Sequence, residues 1–131
     1  AAGWEWRIGA WHGDWTPWNM AASRRRVQLW DFERFETGVP LGLDEVHYAV
    51  NLHTHTHGTS HETVQAALPP AGRTSAALVA DVYLLAVTLR YLALVETSRG
   101  EHIADRARCT LDVLATRLGT ARSSRRVSPS R

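Results

Sequence analysis

Lysine is missing from this 131-residue chain, and all 15 of its basic side chains are arginines. Arginine to the exclusion of lysine points to a GC-rich genome and rules out an ammonium group as a phosphate ligand. Cysteine is almost as scarce. Cys109 is the one thiol, so no internal disulfide forms and a reducing cytoplasm is the natural setting. No basic region followed by an apolar run stands at the start, so no signal peptide is read there; initiator methionine is also lacking. No internal repeat is found. What is present suits one domain with a modest core: 44% hydrophobic and 8% aromatic residues, ordinary values for a globular chain. The net charge of +2 is compatible with nucleotide phosphates and equally with a solvated arginine surface.

The most informative stretch is His12-Gly13-Asp14-Trp15-Thr16-Pro17-Trp18-Asn19, followed by Asp31-Phe32-Glu33. It sets an acid five positions before an amide, with a second acid beyond a short apolar run. Phosphoryl transfer leaves a protein little covalent work; it must hold metal ions, orient a hydroxyl and offset negative charge. In that scheme Asp14 is the base that accepts the hydroxyl proton. Asn19 offers a neutral carbonyl oxygen to Mg²⁺, a hard cation that prefers oxygen, and Asp31 supplies the charged oxygen. Pro17 fixes φ and stiffens the loop. Arg26 to Trp30 alternates polar and apolar residues and reads as a strand, with Trp6 to Trp11 as its hairpin partner. This hairpin carries Asp14 and Asn19 on its loop and Asp31 at its end, so that the three side chains converge at one cleft.

These residues resemble the aminoglycoside phosphotransferase and choline kinase family, relatives of the protein kinases. Its catalytic loop reads His-Gly-Asp, four residues, Asn, and its metal acid lies in an Asp-Trp/Phe-Glu triplet. Gly38-Val39-Pro40-Leu41-Gly42-Leu43-Asp44 is similar to the family's Gly-x-Pro-x-x-Asp-Leu run, with the last two residues in the reverse order. The resemblance covers residues 10 to 50. It implies a small-molecule kinase that moves the γ-phosphate of ATP to an alcohol, with Mg²⁺ as cofactor, Asp14 as base, Asn19 and Asp31 as metal ligands and His12 as support for the loop.

One departure matters. Members grip ATP with an N-terminal lobe that carries a phosphate-covering loop and a strand lysine. Here the loop begins about ten residues from the start of the sequence, and neither element precedes it. The expected fold is therefore mainly α with a small β-hairpin, an α+β class, as the C-terminal lobe of a kinase-like protein. Residues 1–119 form this lobe and 120–131 a disordered tail. The missing N-terminal lobe and a small-molecule alcohol are the expected partners, with no specific nucleic acid and no membrane. Alone, the chain is expected to be inactive. Two other readings stay open: a non-catalytic remnant that only binds a partner, and a metal-dependent phosphohydrolase in which His12, Asp14, Asp31 and the histidines from His53 to His57 hold two metals.

Beyond the motif the chain reads as helices. Leu43 to Leu52 is one, with Asp44 in its first turn, where a carboxylate favours the helix dipole. Ser60 caps a short helix that Pro69-Pro70 stops. Thr74 to Glu96, with Ser75 as a cap, is apolar nearly all round, but Asp81 and Arg90 make it a buried core helix rather than a bilayer span. Glu101 to Leu118 is amphipathic, with Ile103, Ala107, Leu111, Leu114 and Leu118 on one stripe and arginines opposite. His53, His55 and His57, between His47 and His61, would share a strand face as zinc ligands do; placed between helices and ending at Gly58, they read as a polar loop. Trp4, Trp6, Trp11, Trp15, Trp18 and Trp30 surround the motif, filling a core or marking the surface that a missing lobe covers. Arg24-Arg25-Arg26 reads as a charged hairpin tip.

Overall fold

A computed structural model describes residues 6–97 and 100–126. The chain is mainly helical with two small antiparallel sheets, the expected α+β class. Strands β1 (Ile8–Trp11), β2 (Met20–Ser23), β3 (Arg26–Leu29) and β4 (Glu36–Pro40) precede helices α1 (Leu43–His57), α2 (His61–Ala66), α3 (Ser75–Val95) and α4 (Gly100–Arg126).

The strand pairing corrects the expected hairpin. β3 pairs with β2, from Met20 opposite Leu29 to Ser23 opposite Arg26, and Arg24 and Arg25 form the turn. β1 pairs with β4 instead, from Ile8 opposite Pro40 to Trp11 opposite Glu36. The register slips between Gly9 and Ala10, leaving Gly38 unpaired with φ of 72°, the positive value a bulge glycine supplies without strain. One hairpin thus lies between the strands of the other sheet. Residues 12–19 and 30–35 become adjacent connections, and the Trp30 amide donates to the Asn19 carbonyl at 3.3 Å.

Helix α1 runs past Leu52 through the histidine segment to His57, where a polar loop was expected. Local bonding accounts for the extension. The Thr54 hydroxyl donates to the Val50 carbonyl at 2.9 Å and that of Thr56 to Leu52 at 2.8 Å, so both polar side chains are satisfied within the helix. Gly58, with φ of 84°, ends it and donates its amide to the Thr54 carbonyl. Ser60 caps α2 as expected, accepting from the Thr63 amide at 3.1 Å. The cap of α3 is Thr74 rather than Ser75: its hydroxyl accepts from the Ala77 amide at 3.1 Å.

The core joins Trp11, Leu43, Val50, Val64, Tyr83, Leu84, Val87, Val113 and Leu114, with α3 packed along α4 and α2 between α1 and α4. By length and composition alone α3 could cross a membrane. However, its Ala77, Ala80, Tyr83, Leu84, Val87 and Thr88 are buried in the core, while Leu85, Leu89 and Leu92 are exposed. Helix α4 presents a different stripe from the expected one. Ala107, Thr110, Val113, Leu114 and Arg117 are buried, while Leu111 and Leu118 face out. α4 also continues to Arg126, so residues 120–126 are helical where a disordered tail was expected. Residues 127–131, and Trp4 among the tryptophans, lie outside the described residues.

An ion pair inside the helical layer explains the rotation of α4. Arg117 is 1% exposed. Its Nε donates to Asp81 Oδ1 at 2.6 Å, its Nη1 to the Pro69 carbonyl at 2.7 Å and its Nη2 to the Ala77 carbonyl at 3.3 Å. One guanidinium of α4 thereby ties the start of the α2–α3 connection to the first turns of α3. Removing it strands a carboxylate and two carbonyls away from water. Arg117→Ala should cost about 3–5 kcal/mol in urea unfolding, whereas replacing both partners, Asp81→Leu with Arg117→Met, should recover most of that loss. A single variant as stable as the parent would show that the pair is not a structural tie.

Candidate functional site

The loop after β1 is shaped by contacts from two distant helices. Asp44, in the first turn of α1, accepts the His12 amide at 2.8 Å on Oδ2 and the Gly13 amide at 3.3 Å on Oδ1. Arg90 of α3 donates from Nη1 to the Gly13 carbonyl at 2.6 Å, and its guanidinium lies 5.1 Å from the centre of the buried Trp11 ring. Gly13 has φ of 88°, and a Cβ there would come within 2.2 Å of the Arg34 carbonyl oxygen, so no other residue fits the turn.

His12 bonds to both connections of the loop. It is buried, and its Nδ1 accepts the Asp14 amide at 3.2 Å. The ring proton therefore sits on Nε2, which donates to the Trp30 carbonyl at 2.9 Å. Phe32 packs on the ring with centroids 4.4 Å apart. The same imidazole thus fixes the backbone of Asp14 and of the residue before Asp31.

Asp14 and Asn19 meet side chain to side chain. Pro17 opens the single 3₁₀ turn that delivers Asn19, and the Asn19 amide closes it on the Thr16 carbonyl at 3.0 Å. Asn19 Nδ2 then donates to Asp14 Oδ2 and to the Asp14 carbonyl, both at 3.0 Å. With the amide nitrogen spent, Asn19 Oδ1 has no hydrogen-bond partner among the described residues and remains an available oxygen donor. Asp31 is exposed and has φ of 64°, a left-handed value that aspartate tolerates better than most residues. Its carboxylate also has no partner among the described residues. Trp30, just before it, is bonded to both Asn19 and His12, so the chain carries Asp31 past the ends of the loop. A neutral carbonyl and a free carboxylate are each the kind of oxygen that a hard divalent cation prefers. Among the described residues no three His, Cys, Asp or Glu side chains group as a metal site.

The other Asp14 oxygen leads into the core. His47 Nε2 lies 3.1 Å from Asp14 Oδ1, and His47 Nδ1 lies 2.9 Å from the Tyr83 hydroxyl. Burial pushes the Tyr83 phenol well above its ordinary value, so it keeps its proton beside Nδ1; the Asp14 carboxylate only accepts, so His47 Nε2 carries the proton that points to it. For Asp14 itself, burial raises the carboxyl's pKa, but the hydrogen bond and charge of His47, the charge of Arg90 and the hydrogen bond from Asn19 more than offset this and hold it below the ordinary value. The group is a carboxylate at neutral pH, as a base must be.

Sequence reasoning identified Asp14, Asn19, Asp31 and His12 but assigned no site role to Asp44, His47, Tyr83 or Arg90. Asp44 was read as a dipole partner, and His47 as a neighbour of the histidine segment. A charge within an apolar helix, as at Arg90, was the one usable signal, since a half-buried cation requires a partner. On the Asp44 side of the loop, a cleft of about 500 Å³ is lined by Trp6, Trp15, Leu41, Asp44, Glu45 and Val79. No family model, curated protein or solved structure matches the chain.

Two measurements test this geometry. Asp44→Ala should speed hydrogen exchange at the His12 and Gly13 amides by tenfold or more, since each bond to a carboxylate is worth about 1.5–3 kcal/mol, while amides in the middle of α3 keep their protection. Unchanged exchange would mean that Asp44 does not hold the loop. The lowered Asp14 pKa fixes the sign of a pH effect: its stabilisation is present above the unfolded value and is lost as pH falls through the folded one. Unfolding free energy should therefore decline more steeply below pH 3.8 in the parent than in Asp14→Asn; parallel curves would contradict the assignment.

Proposed function

We propose that this chain is the catalytic lobe of a kinase-like phosphotransferase that passes the γ-phosphate of ATP to a hydroxyl of a small molecule. The observation that carries the reading is the Asp14–Asn19 pair, with one amide oxygen left over and Asp31 next in sequence to Trp30, whose amide is bonded to the Asn19 carbonyl. Asp14 is the base: its carboxylate is ionised, its backbone is held by His12 and one oxygen is held by His47, so it is oriented before an alcohol arrives. Asn19 and Asp31 hold Mg²⁺, which offsets charge on the phosphates when bound.

The donor's triphosphate finds no lysine in this chain, and the proposed partner is a lobe supplying that lysine and a phosphate-covering loop. Exposed aromatic rings around the site support such a partner: Trp6, Trp18, Trp30, Phe32 and Phe35 are 44–54% exposed, more apolar surface in one region than a lone domain usually leaves open. The same rings fit a remnant that only binds a partner, so activity decides between the two. The chain alone should transfer phosphate to no alcohol at a useful rate. Joined to a nucleotide lobe, steady-state kinetics under Mg²⁺ titration should separate the roles. Asp14→Ala should lower kcat by about 10²–10⁴ with little change in Mg²⁺ dependence, and Asp31→Ala should raise the Mg²⁺ requirement, with Asn19→Ala between them. Transfer by the chain alone that Asp14→Ala abolishes would contradict the need for a lobe. An Mg²⁺ dependence that Asp14→Ala shifts and Asp31→Ala does not would overturn the roles.

A further inference from the structure

The continuation of α1 through the histidine segment changes what those histidines can do. On a strand, His53, His55 and His57 would share a face. On the helix, only positions four apart do, so His53 and His57 stand together and His55 is turned away. His55 packs against Trp18 with ring centroids 5.5 Å apart, and His61 pairs with Asp112 at 2.7 Å. Both are occupied elsewhere.

His53 and His57 are arranged as ligands. Their ring centroids are 6.3 Å apart with planes inclined at 55°, a spacing that small rotations close onto one ion with nitrogen–metal bonds of about 2.0–2.1 Å. His53 Nδ1 lies 3.0 Å from the Ala49 carbonyl oxygen. That carbonyl only accepts, so Nδ1 carries the proton and Nε2 keeps its lone pair, the tautomer and backbone tether typical of metal-bound imidazoles. The pair lies near the end of α1, with His57 in its last turn just before Gly58, where the negative end of the helix dipole favours a cation.

We propose that His53 and His57 form a two-ligand site for a borderline divalent cation, Zn²⁺ or its neighbours Ni²⁺ and Cu²⁺, with the remaining positions taken by water. Imidazole suits these metals, whereas Mg²⁺ prefers oxygen, so the site is chemically separate from the one proposed at Asn19 and Asp31. The ion bridges one helical turn. The same segment of α1 packs His55 against Trp18 in a tilted contact, next to Asn19, so the bound ion stiffens the end of the helix against which the catalytic loop rests.

The experiment is Zn²⁺ titration of the intact chain in excess Mg²⁺, read by calorimetry and thermal unfolding. One Zn²⁺ per chain should bind and raise Tm by about 3 °C or more when the ion is well above its Kd. His53→Ala and His57→Gln should each weaken binding by about tenfold or more while leaving Tm without zinc near the parent value, because His57 is exposed and His53 only half-buried. His61→Ala should bind as the parent does. Zinc binding that survives both substitutions, or the absence of any zinc-dependent rise in Tm, would overturn the proposal.

Discussion

The carboxylate of Asp44 is the constraint on which the rest of the site depends. Two consecutive backbone amides, of His12 and Gly13, point at its two oxygens. This fixes the start of the loop to the first turn of α1, an element more than thirty residues later in the chain. From that anchor, the positive φ at Gly13 turns the chain, the Arg90 guanidinium takes the Gly13 carbonyl, and Asp14 emerges with its amide on His12 and its carboxylate between Asn19 and His47. A half-buried carboxylate that accepts two amides is costly to remove, because both donors are then left without a partner.

A second consequence follows from where the anchor sits. Asp44 and His47 are three residues apart on α1, so the turn that holds the loop backbone also presents the imidazole that holds Asp14. Tyr83 fixes that imidazole from α3, and Arg90, two turns further along the same helix, holds the loop from the other side. The loop is therefore tied to two core helices, which suits chemistry in which positioning carries most of the rate.

The local parts of this arrangement were legible in the sequence. Acid and amide spacing placed Asp14 with Asn19, Pro17 marked the tight turn between them, and Ser60 marked the start of α2. Parts that depend on distant partners were not. Period-two patterning identified the strand at Arg26 to Trp30 but offered Trp6 to Trp11 as its partner, whereas its mate is Met20–Ser23 and β1 pairs with β4 across the inner hairpin. Arg117 was read as one of the arginines on a solvated face, since nothing near it in sequence announces Asp81. The histidine and threonine run was read as a loop from its polarity, whereas its hydroxyls and one imidazole bond to carbonyls four residues back.

The claim that the Asp14 loop is a phosphoryl-transfer site rests on where a hard cation binds. Crystals of the chain soaked in Mn²⁺ with a non-hydrolysable ATP analogue, measured for anomalous scattering from manganese, test it most directly. A manganese peak within bonding distance of Asn19 Oδ1 and the Asp31 carboxylate, with the nucleotide's phosphates beside Asp14, is the predicted result. Manganese bound only elsewhere, with Asn19 Oδ1 and Asp31 left in water, would contradict it.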